Sequence, residues 1–364
     1  MDLRQFQVIN ASGRMTVLGG CTLSAGVLDA MRLAAESHSD MERLHRWAGE
    51  RIAARAGTEA ARVVGSAASG IVLAVAAVVA GSDPVRVRAL PDPLDAEARI
   101  VIQTGHLVDF GAEIGQMVRL GGGRVVSVGS VNRVDRRDLD AMMRTRPAGC
   151  LFVWSHHAVQ KGMLSLANCV EAAHQFGVPV IVDAAAEDDL AQFTGMGADL
   201  AIYSGSKDLR GPTAGVVVGR RRLVDAVAAQ SRGIGRAMKV SKEAIAGIVK
   251  AIQDQTVRDS AADRLVQQQI VARLLDSLRA LPGATAAAVF EHLRPDIERA
   301  QIQFSGPDAR DRAARLVAHL REWMPPIWTR DHRLGEGIVV FDPRPLSPTE
   351  AETIAAALQA FHDG

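Results

Sequence analysis

The sequence is poor in features of secreted proteins and of proteins that bind polyanions. Its three cysteines, Cys21, Cys150 and Cys169, are scattered and show no C-x-x-C spacing, so a disulfide framework is not expected. The net charge is only +1 over 364 residues, and no strongly basic balance indicates a nucleic acid or an anionic membrane as partner. We therefore expect reduced thiols and a small-molecule partner.

Long apolar runs are missing too. The longest, residues 71–80, is far shorter than the roughly 20 residues that a bilayer-spanning helix needs. Residues 1–15 contain charges but lack the apolar core of a signal peptide, so we expect a cytoplasmic protein. Its length suffices for a large α/β domain and a smaller one, because single cores stop growing at roughly 250–300 residues.

Short apolar segments alternate with helical patterns through the middle of the chain. This alternation is typical of βαβ units and predicts a mainly parallel sheet with helices on both faces. Ligands of such sheets bind at the carboxyl ends of the strands. The predicted strands lie near residues 62–65, 99–103, 124–128, 150–154, 178–182, 200–203 and 214–218, and the helices between them near 71–80, 134–144 and 164–176.

Helical patterns dominate both flanks of this region. Residues 22–56 show loose helical periodicity, and residues 242–281 predict one long helical stretch that ends at Pro282-Gly283. Residues 284–364 read as a smaller α/β unit. The predicted division is an N-terminal segment at 1–60, a large domain at 61–257 and a small C-terminal domain at 258–364.

An acid and a lysine follow two neighbouring predicted strands. Asp183 ends one strand, and Ser204 and Lys207 follow the next one as Ser-x-x-Lys. Because both strands end at the same edge of the sheet, a carboxylate and an amine converge there. This suits pyridoxal phosphate (PLP), since a lysine supplies the imine and a carboxylate keeps the pyridinium nitrogen protonated. The alternative is a surface lysine and an Asp that caps a helix.

A loop of small residues, Gly65 to Gly70, separates the first predicted strand from its helix. Small residues let the backbone approach a phosphate closely, and the helix N-terminus supplies amide donors. We therefore expect Ser66, Ala67 and Ala68 to bind a cofactor phosphate. A tight strand-to-helix turn without a ligand would have the same sequence.

Histidines follow two further strands. His106 comes after residues 99–103 and is expected to stack on the pyridine ring, the alternative being an exposed loop histidine. His156 and His157 follow residues 150–154, and one of them, assigned to His157, would be an acid–base group. No Glu or Cys lies at zinc-ligand spacing from this pair, so a metal is not expected.

Four arginines are candidates for binding the anionic groups of a substrate. Arg236 lies in the glycine-containing basic stretch 232–239, whose GxG lacks the strand and the spacing of a dinucleotide fingerprint. This stretch would bind a substrate carboxylate, a substrate phosphate or the cofactor phosphate of a neighbouring subunit, unless it is a solvated basic loop. The other candidates are Arg14, Arg330 and Arg344.

The chain resembles fold-type I PLP enzymes, in the branch of selenocysteine synthase and D-glucosaminate-6-phosphate ammonia-lyase. The order of a small-residue loop, a stacking residue, an Asp and Ser-x-x-Lys is that of the superfamily. The branch is indicated by VINASGRMTVLG (8–19), SHHAVQKGM (155–163), VIVDAAAEDDL (180–190), GADLAIYSGSKDLRGPTAG (197–215), GIGRAMKVSKE (233–243) and DPRPL (342–346).

The resemblance implies that Lys207 binds PLP, that Asp183 pairs with the pyridinium, that Ser66, Ala67 and Ser204 hold the phosphate, and that His106 stacks. It also implies a homodimer or larger homo-oligomer with shared active sites. The expected reaction is elimination from a hydroxylated amino acid or amino-sugar acid to give a 2-keto acid and ammonia. A racemase, an aldolase and a selenocysteine-synthase-like transferase remain alternatives. Because the VINASG motif begins at Val8, we do not expect the N-terminal tRNA-binding region of selenocysteine synthase.

Overall fold

The computed structural model describes residues 2–92, 98–291 and 294–363 and divides into two compact units. The large unit is Leu23–Thr256, and the small unit is Met1–Thr22 together with Val257–Gly364. The strands are β1 (Ile9–Ala11), β2 (Ala60–Val64), β3 (Arg99–Gln103), β4 (Arg124–Val128), β5 (Gly149–Val153), β6 (Val180–Asp183), β7 (Leu200–Ser204), β8 (Gly215–Gly219), β9 (Ala284–Glu291), β10 (Arg294–Phe304), β11 (Ile327–Thr329) and β12 (Ile338–Phe341). The helices are α1 (Ala25–Ala35), α2 (Met41–Ala56), α3 (Ala67–Ala80), α4 (Pro84–Ala89), α5 (Ile114–Leu120), α6 (Arg136–Arg144), α7 (Leu166–His174), α8 (Gln192–Gly195), α9 (Arg221–Ala229), α10 (Lys242–Asp254), α11 (Ser260–Arg279), α12 (Ala309–Glu322) and α13 (Pro348–Asp363).

A seven-stranded sheet forms the centre of the described part of the large unit, in the order β2-β8-β7-β6-β5-β3-β4. Neighbouring strands are parallel except for β8, which runs antiparallel to both β2 and β7. Every residue of β5, β6, β7 and β8 is buried, as in sheets that helices cover on both faces. The predicted mainly parallel α/β fold is confirmed. The sequence pattern did not show the reversal of β8.

The two faces of this sheet carry separate hydrophobic clusters because successive strand residues point to opposite sides. In β3, Ile100 and Ile102 belong to one cluster, and Val101 belongs to the other. Phe152 and Tyr203 are among the largest fully buried side chains of the second face. Burial on both faces therefore fixes the register of the strands, and with it the place where each strand ends.

Two predicted boundaries differ from the structure, and a capping side chain explains each difference. The predicted loop at 65–70 is mostly the first turn of α3, because Ser66 caps the helix and accepts a hydrogen bond from the Ser69 N–H. The predicted long helix at 242–281 is two helices, α10 and α11. Asp259 starts the second one by accepting hydrogen bonds from the first-turn amides of α11.

The small unit combines chain segments from both ends of the sequence. Its strands form an antiparallel sheet, β12-β10-β9, and a parallel pair in which Ile9 of β1 lies opposite Ile327 of β11. This pairing places residues 2–22 with the small unit, whereas α1 and α2 belong to the large unit. The division therefore differs from the expected N-terminal segment 1–60.

No helix within residues 2–92, 98–291 and 294–363 has the length and hydropathy that a membrane-crossing helix needs.

Candidate active site

Asp183 is the last residue of β6, in the middle of the sheet. Its side chain is 6% exposed, and its Oδ1 accepts a hydrogen bond from the Ala185 N–H at 3.2 Å. No ion pair to this carboxylate occurs in the described part of the chain. Burial raises the pKa of Asp183 to about 6, although the charge of Lys207 and the Ala185 N–H act in the opposite direction. The site thus contains a buried carboxylate that forms no ion pair with a described residue.

Lys207 lies in the turn that follows β7, the neighbour of β6 in the sheet. It is half-buried, and its amine makes no hydrogen bond or ion pair with any described residue. Its charge acts to lower the pKa of Asp183, and the strands that precede the two residues are neighbours in the sheet; their common site stays a prediction. Ser204, the last residue of β7, is 8% exposed. The amine is therefore available for covalent chemistry.

Ser66, Ala67 and Ala68 begin helix α3, and all three are half-buried. The first-turn amides of a helix have no intrahelical acceptor, so those of Ala67 and Ala68 are suited to an anion. Gly215 of β8 lies directly against this turn, because an ideal Cβ at Gly215 would come within 2.2 Å of the Ser66 carbonyl oxygen. The turn therefore lies beside strand β8. Strand β8 pairs with β7, and Lys207 follows β7.

His106 lies in the core just after β3. The ring is completely buried and lies edge-on to Phe152 at 4.5 Å between centroids. Its Nδ1 accepts a hydrogen bond from the Val153 N–H at 3.2 Å, so the proton is on Nε2, which has no partner among the described residues. Burial lowers the pKa of His106 to about 4, so the ring is neutral. The stacking of His106 on a cofactor ring stays a prediction.

His156 and His157 follow β5 and are both exposed, with ring centroids 4.0 Å apart. The His157 N–H donates to Ser155 Oγ at 3.2 Å. Backbone pairing aligns the end of β5 with that of β6, because Val153 lies opposite Asp183. His157 thus follows a strand that ends beside the strand of Asp183, and its acid–base role stays a prediction.

Arg236 lies between α9 and α10. It is exposed and lines a cavity of about 1120 Å³ whose other lining residues do not include Lys207, Asp183 or His106. The binding of substrate by Arg236 stays a prediction.

Arg344 belongs to the small unit, as do Arg14 and Arg330. Its Nε and Nη2 donate to the two oxygens of Asp342 at 3.0 and 2.9 Å, and Arg299 donates to the same carboxylate at 2.8 Å. Asp342 is fully buried, and both guanidinium groups lower its pKa against the effect of burial. The two parallel hydrogen bonds to Asp342 fix the orientation of the Arg344 guanidinium group. Arg14 and Arg330 are half-buried, and their roles stay predictions.

Sequence reasoning missed Asp342, although the sequence contained a signal for it. Asp342 directly follows the apolar strand β12, just as Asp183 ends the apolar strand β6.

The described residues contain no group of His, Cys, Asp and Glu arranged to hold a metal ion. They do fit PLP in chemical type: the first-turn amides of α3 with Ser66 and Ser204 suit a phosphate, the Lys207 amine suits an aldehyde, and the Asp183 carboxylate suits a protonated pyridine nitrogen. The raised pKa of Asp183 shows that this carboxylate would gain from a cationic partner.

The family model of L-seryl-tRNA selenium transferase (SelA) matches residues 8–305. A 5′-C-glycyluridine monooxygenase-decarboxylase from Streptomyces sp is 41% identical over 97% of this chain and 89% of its own length. A D-glucosaminate-6-phosphate ammonia lyase from Salmonella typhimurium (strain 14028s / SGSC 2262) is 36% identical over 97% of this chain and 95% of its own length.

Solved structures agree with the sequence relatives. A structure of D-glucosaminate-6-phosphate ammonia-lyase superposes with a TM-score of 0.89 at 34% identity, covering 98% of this chain and 96% of that one. A serine palmitoyltransferase of Sphingomonas wittichii superposes with a TM-score of 0.59 at 15% identity, covering 97% and 87%, and shows the shared fold alone.

Proposed function

Since the chain belongs to the L-seryl-tRNA selenium transferase family, we propose that it is a PLP-dependent lyase that releases ammonia from a hydroxylated amino acid or amino-sugar acid. A β-hydroxyl group would leave as water, and one water would be consumed when the carbon–nitrogen bond is hydrolysed. The net products are a 2-keto acid and ammonia. The 36% identical ammonia lyase and its 0.89 TM-score structure support this reaction.

The observation that carries the proposal is the placement of Lys207 and the buried carboxylate of Asp183 just after two neighbouring parallel strands, β7 and β6. When bound, PLP withdraws electrons from the α-carbon of an amino acid attached to it as an imine. Asp183 would hold a proton on the ring nitrogen, because its buried carboxylate forms no ion pair with any described residue. The Lys207 amine makes no hydrogen bond in the described chain and would take the α-proton once the substrate amine replaces it.

The remaining roles follow from position and chemical type. Ser66, Ser204 and the amides of Ala67 and Ala68 would hold the cofactor phosphate. His157 would protonate the leaving hydroxyl group.

Arg344 would bind the substrate carboxylate, because its hydrogen bonds to Asp342 hold the guanidinium group in one orientation. We also propose a homodimer or larger homo-oligomer in the cytoplasm, with a small-molecule substrate and no nucleic acid, in line with the net charge of +1.

A second candidate reaction is an oxygen-dependent decarboxylation of an amino acid. It is favoured by the 41% identity to the 5′-C-glycyluridine monooxygenase-decarboxylase, which exceeds the identity to the ammonia lyase. Both reactions begin at the α-carbon of an amino acid, so Lys207 and Asp183 would serve either one. They differ in the bond that breaks: the lyase breaks the carbon–nitrogen bond, and the decarboxylase breaks the bond to the carboxylate.

The experiment that separates them measures four products and reactants in the same reaction. The PLP-loaded protein is incubated with D-glucosaminate 6-phosphate or with 5′-C-glycyluridine, and ammonia, 2-keto acid, carbon dioxide and oxygen uptake are measured. A lyase gives equal amounts of ammonia and keto acid without oxygen uptake, and Lys207→Ala abolishes both. Carbon dioxide release coupled to oxygen uptake would replace the proposal by the second reaction. A lack of turnover of either compound counts against both.

A further inference from the structure

Lys207 lies in the loop of residues 205–214, which joins the antiparallel strands β7 and β8. We call it the lysine loop. The Gly205 N–H donates to the Ala214 carbonyl oxygen at 2.7 Å, so the pairing of the two strands continues into the loop. Because both ends are held in this way, the position of Lys207 depends on how the residues between them are folded.

Helix α10 packs directly against the lysine loop. An ideal Cβ at Gly205 would lie 3.1 Å from Ile248 Cδ1, and one at Gly211 would lie 2.7 Å from the same atom. Leu209 is fully buried in the hydrophobic cluster that also contains Ile248. The loop therefore has no room to move toward the helix, and Leu209 anchors it in the core.

Arg210 turns the lysine loop back with an unusual backbone conformation. Its φ is +54°, in the left-handed region that residues other than glycine rarely adopt. The Arg210 N–H donates to the Lys207 carbonyl oxygen at 3.0 Å, and the following N–H, of Gly211, donates to the Gly205 carbonyl oxygen at 2.7 Å. The backbone angles of Arg210 set the direction of the second N–H relative to the first. Both hydrogen bonds that close the loop around Lys207 therefore depend on the left-handed conformation.

Arg146 offers a comparison within the same chain. Among the described residues it is the other non-glycine residue with a positive φ, which is +50°. It is exposed and lies between helix α6 and strand β5. Because β5, β6 and β7 are parallel, a residue that precedes β5 lies at the opposite edge of the sheet from Lys207, which follows β7. Arg146 thus has the same backbone conformation without the neighbouring lysine.

We propose that Arg210 is a positioning residue for Lys207: its left-handed backbone closes the lysine loop, and the closed loop holds the amine within reach of the cofactor aldehyde. This inference rests on the proposed function, in which Lys207 forms the imine with PLP. It assigns the role to the main chain of residue 210 and not to the guanidinium group. Strained backbone conformations persist where the surrounding structure determines them, and they cluster at functional sites.

The expected effect on the cofactor follows from the fraction of molecules whose loop is closed. Only these molecules present the Lys207 amine correctly, so the apparent Kd for PLP rises as the closed fraction falls. A substitution that disfavours the left-handed conformation therefore weakens PLP binding, although it removes no group that touches the cofactor.

Substitutions at position 210 separate the main chain from the side chain. Arg210→Gly removes the guanidinium group but adopts a positive φ readily, so its Kd for PLP should stay within about twofold of the wild-type value. Arg210→Val places a β-branched side chain in the left-handed region, where such residues are outliers, and should raise this Kd by about tenfold. If Arg210→Val does not fold, Arg210→Thr decides, with an expected rise of about threefold and no rise as the contrary result.

Two measurements are made on each protein. The Kd is obtained by titrating the cofactor-free protein with PLP and following the absorbance of the imine. Hydrogen exchange of the cofactor-free protein, read by mass spectrometry, reports the Gly205 and Gly211 amides without any cofactor. The peptide that contains them should exchange faster by about tenfold in Arg210→Val and at the wild-type rate in Arg210→Gly.

Arg146→Val is the matched control, because it introduces the same side chain at nearly the same φ. It should leave both the Kd for PLP and the exchange of the lysine loop unchanged. An equal loss of PLP affinity in Arg146→Val and Arg210→Val would show a general effect of strain and overturn the proposal.

The other outcomes are equally decisive. Unchanged PLP affinity in Arg210→Val would overturn the proposal, and a loss in Arg210→Gly as large as that in Arg210→Val would assign the role to the guanidinium group instead. A wild-type protein that forms no imine would overturn the proposed function. In that case the exchange measurement still decides whether Arg210 closes the loop, since it needs no cofactor.

Discussion

Replacing Asp183 by Asn should stabilise the protein without cofactor. The folded chain raises the pKa of this carboxyl from 3.8 to about 6, and each pKa unit corresponds to about 1.4 kcal/mol. Burying the charged form therefore costs up to about 3 kcal/mol relative to the unfolded chain. Asn has nearly the same shape and can still accept the hydrogen bond from Ala185, but it carries no charge.

The stability difference between Asp183→Asn and the wild type should grow as the pH rises. Below pH 3.8 Asp183 is protonated in both the folded and unfolded chains, so the variant and the wild type should be equally stable. As the pH rises toward about 6, the unfolded chain loses its proton first, and the wild type loses stability that the variant keeps. Above about pH 6 the difference should stay constant at up to about 3 kcal/mol.

Urea denaturation of the cofactor-free proteins between pH 4 and 8 measures this difference. Asp199→Asn is the matched control, because this buried carboxylate accepts a hydrogen bond from the Val180 N–H at 2.7 Å and pairs with Arg220 at 2.6 Å. The control should be less stable than the wild type. An Asp183→Asn protein that is less stable than the wild type at pH 8, or whose advantage does not change with pH, would refute the reasoning.

Three further predictions concern other residues of the two units. Gly215→Ala places a Cβ 2.2 Å from a main-chain oxygen. It should lower the free energy of unfolding by about 2 kcal/mol and weaken PLP binding in a titration. Gly195→Ala, where no atom lies within 4 Å of the new Cβ, should change neither quantity. Equal behaviour of the two variants would contradict this. Arg344→Lys keeps the charge but loses the two parallel hydrogen bonds to Asp342. Steady-state kinetics should therefore show KM raised by about tenfold and kcat less affected. An unchanged KM would remove this arginine from the substrate site. His106 should titrate by NMR near pH 4, because burial lowers its pKa to about 4, and a midpoint near 6.5 would show a ring that solvent reaches.

The sheet was predictable from sequence because most of its strands are buried on both faces. Such strands are short, continuous apolar runs, and the strand at 99–103 was located to the residue. The edge strand at 124–128 was also located to the residue, although only Val128 in it is fully buried. The reversal of β8 was not predictable, since an apolar run has the same composition in either direction. The pairing of β1 with β11 was missed because it joins two three-residue strands from opposite ends of the chain.

The sequence supports candidate site residues where they directly follow a clear strand. Asp183 and Lys207 were singled out because the strands before them are continuous apolar runs and parallel strands end together, and their roles stay predictions. The burial of His106 was not visible, since it depends on packing against Phe152, a residue distant in sequence. The cavity that Arg236 lines was not visible either, because a basic stretch shows its charge in the sequence but not its surroundings in the fold.

The central claim is that Lys207 forms the imine with PLP, and borohydride trapping tests it most directly. The protein is loaded with PLP, reduced so that the imine becomes a stable secondary amine, digested, and analysed by mass spectrometry. The account predicts one pyridoxyl-phosphate adduct, on the peptide that contains Lys207, and none at that position in Lys207→Ala. An adduct on a different lysine, or wild-type protein that retains no cofactor after reduction, would contradict it.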